Sequence, residues 1–205
     1  RDKVKDVGGF VGGTVKSGIR KAENIGWRQV ITLDADYAVP GFADIVAEKL
    51  KGSTWILYST HSHTAEKPRL RLVLPLSRAV NPDEYQAIAR RVAADIGMDY
   101  FDDTTYQPHR LMYWPSTSED GDFYCTDAEG EWLDADAQLA RYEDWTDQSF
   151  WPVSSRMTDI IKKHAAKQQD PCTKKGLIGA FCRTYTVQEA IEKFLPGVYE
   201  PCGKS

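Results

Sequence analysis

No apolar run in these 205 residues approaches the ~20 needed to span a bilayer, and no signal-peptide pattern opens the chain. A protein with no membrane segment, working in the cytoplasm, is therefore expected. Cysteine is scarce. Cys125, Cys172, Cys182 and Cys202 are scattered, no two form a C-x-x-C pair, and no histidine stands beside them at zinc-ligand spacing. That pattern argues against a structural zinc site or a disulfide framework and predicts free thiols in a reducing compartment. A basic total is missing too, since 26 Lys and Arg against 30 Asp and Glu give a net charge of −4. Internal repeats and low-complexity tracts are absent, and the first residue is Arg1 rather than Met, so a piece of a longer protein is expected.

What is present is ordinary for a globular domain: 41% hydrophobic and 27% charged residues, in a chain long enough for one or two domains. The charge is unevenly spread. Residues 1–28 carry seven basic and three acidic residues, residues 117–147 carry eleven acidic residues and one Arg, and residues 154–205 carry nine basic and five acidic. A surface that follows phosphates needs local positive charge, so the net value does not exclude nucleic acid.

The pattern of residues predicts an alternation of strands and helices. Gly8-Gly9-Phe10-Val11-Gly12-Gly13 is glycine-dense and leads into basic Lys16, Arg20 and Lys21. Gln29–Asp34 reads as a strand, Pro40 opens a helix through Lys51, and Thr54–Ser59 is a second strand. Arg69–Leu76 alternates strictly, with Arg69, Arg71 and Val73 on one face and Leu70, Leu72 and Leu74 on the other. Asn81-Pro82-Asp83-Glu84 starts a helix whose apolar stripe runs from Tyr85 to Ile96. Shorter strands are expected near Arg110–Trp114 and Asp122–Thr126. The resulting order, β-α-β-β-α-β, is that of an α+β, ferredoxin-like or RRM-like sheet. Beyond about Pro152 the pattern turns helical, with Thr186-x-x-Glu189 as a capping box. A catalytic domain over 1–150 and a small helical appendage over 151–205 are expected.

Three clusters carry chemistry. Asp34 and Asp36 stand at i and i+2 where a strand ends, a spacing that puts two carboxylates on one side. Paired carboxylates repel unless a cation lies between them, and Mg²⁺ or Mn²⁺ suits such oxygen donors. Ser59-Thr60-His61-Ser62-His63-Thr64 runs into Pro68-Arg69-Leu70-Arg71, so imidazole and guanidinium groups could converge on a triphosphate. Phe101-Asp102-Asp103, followed by Gln107-Pro108-His109-Arg110, offers a third carboxylate and another arginine. Trp27 and Tyr106 are candidates to stack on template bases.

D-x-D, then a histidine in a polar turn, then a third aspartate resembles the archaeo-eukaryotic primase superfamily. More narrowly, it resembles the primase-polymerase domains of phages, prophages and mobile elements that are often fused to a helicase. The resemblance runs from Val7-Gly8-Gly9-Phe10 to Lys175–Arg183. It implies a primase palm in which Asp34, Asp36 and Asp102, with Asp103 as fallback, hold two Mg²⁺ or Mn²⁺ ions. His63, with His61 as second choice, and Arg71, Arg69 and Arg110 would then contact the nucleotide. Single-stranded DNA template, NTP or dNTP substrates and a helicase domain in the parent protein are the implied partners, and the cytoplasm of a bacterium or a phage-infected host is the implied setting. Two rivals stand beside this: a replication-initiator nuclease using His61-Ser62-His63, and a non-catalytic nucleic-acid-binding module. Gly203-Lys204-Ser205 mimics the end of a phosphate-binding loop, but Gly197 is one position too far away to complete it.

Overall fold

The computed structural model describes residues 5, 7–167, 172 and 175–196. The pseudo-P-loop at 203–205 and Cys202 lie outside them. The chain divides into two compact units, Arg1–Thr158 and Asp159–Ser205.

The first unit is built on a five-stranded antiparallel sheet. Its strands are β2 (Gly13–Val15), β3 (Ile25–Ala35), β4 (Trp55–Ser59), β5 (Leu70–Val80) and β7 (Cys125–Ala128), in the order β2-β3-β5-β4-β7. β1 (Gly9–Phe10) and β6 (Met112–Tyr113) form a separate antiparallel pair. Gly9 is required there, because a Cβ at that position would stand 2.5 Å from the Met112 carbonyl oxygen.

Alternation decides which face of the sheet meets the helices. Ile31 and Leu33 on β3, Leu57 on β4, and Leu72 and Leu74 on β5 are fully buried beneath α1 (Phe42–Lys49) and α2 (Pro82–Ile96). Each such side chain contributes roughly 1.5–3 kcal/mol by leaving water. α2 starts where the sequence says it should. Asn81 accepts from the Asp83 and Glu84 backbone N–H groups, Glu84 reaches back to the Asn81 N–H, and Pro82 occupies the first turn.

The β3-α1-β4-β5-α2 run places its strands in the 1-3-2 order of a ferredoxin-like sheet. The outer edge of β3, where a fourth strand lies in the simplest version, is shared between two segments. β2 pairs with its first half, Gly13 opposite Arg28 and Val15 opposite Ile25. The loop after α2 covers its second half, where Asp102 N–H donates to the Asp34 carbonyl (2.9 Å) and the Thr105 hydroxyl accepts from Asp34 N–H (2.8 Å). The strand expected near Arg110–Trp114 is instead β6, paired with β1.

After α3 (Ala135–Leu139), α4 (Ser155–Lys167) begins in the first unit. In the second unit, α5 (Leu177–Thr184) and α6 (Val187–Phe194) gather Phe181, Tyr185 and Phe194 into a ring cluster with centroids 5.2–5.6 Å apart. The Thr186–Glu189 capping box is formed. Among the described cysteines, Cys125 and Cys182 are free thiols. No helix among the described residues is long and apolar enough to cross a membrane.

Candidate active-site cleft

On the face of the sheet away from α1 and α2, a polar cleft of about 450 Å³ opens over the ends of β3, β4 and β5. Register places its floor: Asp34 on β3 and Tyr58 on β4 both stand opposite Arg71 on β5. The three side chains form one row across three strands. Arg71 Nε donates to Asp34 Oδ1 at 2.6 Å, and its Nη1 donates to the Tyr58 hydroxyl (3.4 Å) and to the Tyr113 carbonyl on β6. Its guanidinium also lies 5.7 Å from the Tyr58 ring centroid.

This row is buried, and burial shows in its protonation. Desolvation holds the Asp34 carboxyl above the usual carboxylate range, more than the facing Arg71 lowers it. Burial works to lower the Arg71 pKa, but Asp34 outweighs it, so the guanidinium stays charged. Burial likewise raises the Tyr58 phenol. A carboxylate held in this way lacks the solvation that water would give it and gains from any added cation.

The pattern repeats at the rim. Asp36, in the turn after β3, accepts from Arg69 Nη1 at 2.9 Å. Asp102 faces Arg110 Nη2 at 3.3 Å and accepts from the Thr104 hydroxyl at 2.6 Å. Asp34, Asp36, Arg69, Arg71 and Arg110 all line the cleft, with Asp102 behind Arg110. The backbone bond from Asp102 to Asp34 ties the third carboxylate to the first. The loop that carries Arg110 is held by two other arginines. Arg20 donates to the His109 carbonyl (2.9 Å), and the fully buried Arg28 donates to the Pro108 carbonyl (2.7 Å) while lying 4.0 Å from the Tyr85 ring centroid.

The two histidines separate. His61 lines the cleft, its Nδ1 within 3.2 Å of the Ser116 hydroxyl. His63 is buried outside the lining. Its Nδ1 accepts from the Arg69 backbone N–H (3.1 Å), and its ring stacks toward Tyr124. The tight turn in which His63 N–H donates to the Thr60 carbonyl sends the two imidazoles apart. Asp103 also turns elsewhere, to Arg156 Nε at 3.3 Å, while that guanidinium grips the Asp99 and Phe101 carbonyls.

Tyr106, a stacking candidate by sequence, is a core residue instead. It is fully enclosed beneath Arg90, whose guanidinium lies 4.5 Å from the ring centroid, and its hydroxyl meets Met98 Sδ. Trp27 stays exposed on the first half of β3. Sequence reasoning missed Tyr58, Arg20, Tyr113 and Trp114, all of which line the cleft. The signal for Tyr58 is strand parity. It stands one residue from buried Leu57 and two from exposed Ile56, and so on the face opposite the core.

Three carboxylates are hard oxygen donors of the kind divalent Mg²⁺ or Mn²⁺ takes, so the donor chemistry fits such an ion. As arranged, each carboxylate is held by its own arginine. Among the described residues no group of three or more carboxylate, imidazole or thiol side chains is assembled for a metal.

A family model described as the VapE N-terminal domain matches residues 1–154. No curated protein matches the chain. Among solved structures, the AEP domain of the cyanophage S-2L primase-polymerase is similar at 20% identity, over 64% of this chain and 68% of that one, with a TM-score of 0.48.

Proposed function

The chain belongs to the family of VapE N-terminal domains, and from that premise we propose that it is the nucleotidyl-transfer domain of a phage or mobile-element replication protein. It extends a 3′-hydroxyl on a single-stranded DNA template, with NTPs or dNTPs as substrates. The observation that carries this reading is that three of the arginines lining the cleft, Arg69, Arg71 and Arg110, are each paired with one of three aspartates. A cleft with guanidinium groups alone is an anion site; one with carboxylates alone is a cation site. Interleaved pairs suit a ligand that brings both charges, and a nucleoside triphosphate with its divalent cations is such a ligand.

In this reading Arg69, Arg71 and Arg110 exchange carboxylate for phosphate oxygens when the nucleotide enters. Asp34, Asp36 and Asp102 are thereby released to hold two Mg²⁺ or Mn²⁺ ions. Those ions, when bound, supply the charge that favours ionisation of the 3′-hydroxyl and departure of pyrophosphate. Arg71 keeps its grip on the Tyr113 carbonyl and so fixes the cleft wall while its Nε changes partner. The arginines offset charge that grows on the phosphates as the bond to the leaving group breaks. His61 lines the cleft beside Ser116 and in this reading takes the phosphate contact; the buried His63 accepts from the Arg69 N–H and supports the turn before Arg69. A helicase domain elsewhere in the parent protein would supply the unwound template.

Primer extension on single-stranded DNA with Mn²⁺ or Mg²⁺ tests the reading. Wild type is expected to add nucleotides, and Asp34→Asn with Asp36→Asn to lower the rate by roughly 10²- to 10³-fold, the scale of losing a preorganised electrostatic group. Products made without an annealed primer identify a primase. A protein that makes no product but nicks DNA and stays covalently attached would instead be the initiator nuclease.

A further inference from the structure

Trp114 is a large aromatic ring fixed in place yet left uncovered. The residue directly follows β6, and its backbone N–H donates to the Gly8 carbonyl at 3.0 Å. One face stacks on Phe10, with centroids 5.2 Å apart and planes 29° from parallel. The pyrrole edge lies so close to Gly8 that a Cβ there would stand 2.9 Å from Trp114 Cδ1 and 3.0 Å from Nε1. Still, 58% of the residue is exposed. A scattered exposed tryptophan needs no explanation, but one whose orientation is held from two sides has already lost the freedom that binding would otherwise remove.

Its location is informative as well. Trp114 and Ser116 line the arginine cleft and also an adjoining shelf of about 330 Å³, whose remaining lining is Val7, Gly8, Pro115 and Thr117. Among the described residues no charged side chain lines the shelf. On the cleft side stand Lys5 and Arg20, and the carbonyl of the preceding residue, Tyr113, is held by Arg71. The tryptophan thus stands between a basic wall and an apolar recess, one residue from the anchor of the cleft floor. A ligand that matches both sides has a flat π-face and an anionic backbone. The triphosphate of an incoming nucleotide belongs with the three arginines, and the uncharged shelf offers it nothing.

We propose that Trp114 is a stacking platform for an unpaired base of single-stranded DNA, with Phe10 as its backing and Lys5 and Arg20 taking the adjacent phosphates. The proposal deepens the nucleotidyl-transfer reading, and its deciding readout, strand binding, needs neither metal nor catalysis, so the two can fail separately.

Fluorescence anisotropy would measure the binding, without divalent ions, of a labelled ten-residue oligothymidylate and of an abasic oligomer of equal length. Free dTTP would be titrated separately with Mn²⁺ present. Trp114→Ala is expected to weaken the thymidylate oligomer by about 5- to 100-fold, the range for one lost base–aromatic stack. Trp114→Phe should recover most of that loss and also guards against misfolding of the alanine variant. Abasic-oligomer and dTTP binding should not change. Unaltered oligothymidylate binding in Trp114→Ala overturns the proposal. Equal losses for the abasic and thymidylate oligomers overturn it too, because then the backbone or the fold was lost and not a stack. A loss confined to dTTP assigns the ring to the incoming nucleotide and overturns the assignment to the strand.

Discussion

The two faces of the β3–β5–β4 sheet are made by alternate residues of the same three strands, yet they carry opposite chemistry. Leu33, Leu72 and Leu57 form one row across the strands; one step along, Asp34, Arg71 and Tyr58 form the next. The first row lies under α1 and α2 and excludes water. The second lies under an open cleft and sets an ion pair and a phenol side by side. Because the side-chain period is two, a register slip of one residue would drive Arg71 and Asp34 into the helix-covered core. The leucine row therefore fixes the geometry of the charged row, and the contrast teaches that here folding and site assembly are one register decision.

The largest expected effect comes from breaking the apolar row. Leu72→Ala removes a fully buried side chain between β3 and β4 and should lower unfolding stability by about 2–5 kcal/mol, read from urea denaturation. Breaking the charged row should do something different. Arg71→Lys keeps the charge but not the fork that reaches Asp34, Tyr58 and Tyr113 together. Nucleotide affinity is expected to drop about 10- to 100-fold, the worth of charged hydrogen bonds of this kind, with the fold retained. Equal responses of stability and affinity in both variants would erase the distinction between the two faces.

A smaller effect sharpens the comparison from outside the cleft. Glu84 pairs with Arg78 at 2.9 Å and caps α2. Partial burial works to raise its pKa, but Arg78 and the Asn81 N–H outweigh this and hold it below the usual carboxylate range. A depressed carboxyl contributes stability that is present above its unfolded value and is lost as pH falls through the folded one. Stability should therefore decline below about pH 4.5 with a component that Glu84→Gln lacks, a difference that paired acid titrations followed by circular dichroism can resolve.

Much of this was legible in the chain. The strict alternation of Arg69–Leu76 announced both faces of β5, and the Asn81-Pro82-Asp83-Glu84 signature announced the start of α2, because both are local and periodic. Asp34, Asp36, Arg69 and Arg71 followed from the same alternation. The choice between His61 and His63 did not. Either fits a small-residue-plus-histidine spacing, and only the turn closed by the Thr60 carbonyl decides which imidazole enters the cleft. Nor could the sequence say what covers the outer edge of β3, since those bonds run through backbone groups that every residue carries. Tyr106 misled for the same reason: the loop that covers that edge draws it inward, beneath Arg90. Trp114 gave no signal because its platform exists only where β1 meets β6.

The most direct test of the account is calorimetric titration of dTTP with and without Mn²⁺, on wild type and on the Asp34→Asn/Asp36→Asn variant. If the arginines and carboxylates trade partners as nucleotide and cation arrive together, wild type binds dTTP tightly only with Mn²⁺, and the variant loses that enhancement. Equal affinity with and without Mn²⁺ in wild type, or an undiminished enhancement in the variant, would contradict it.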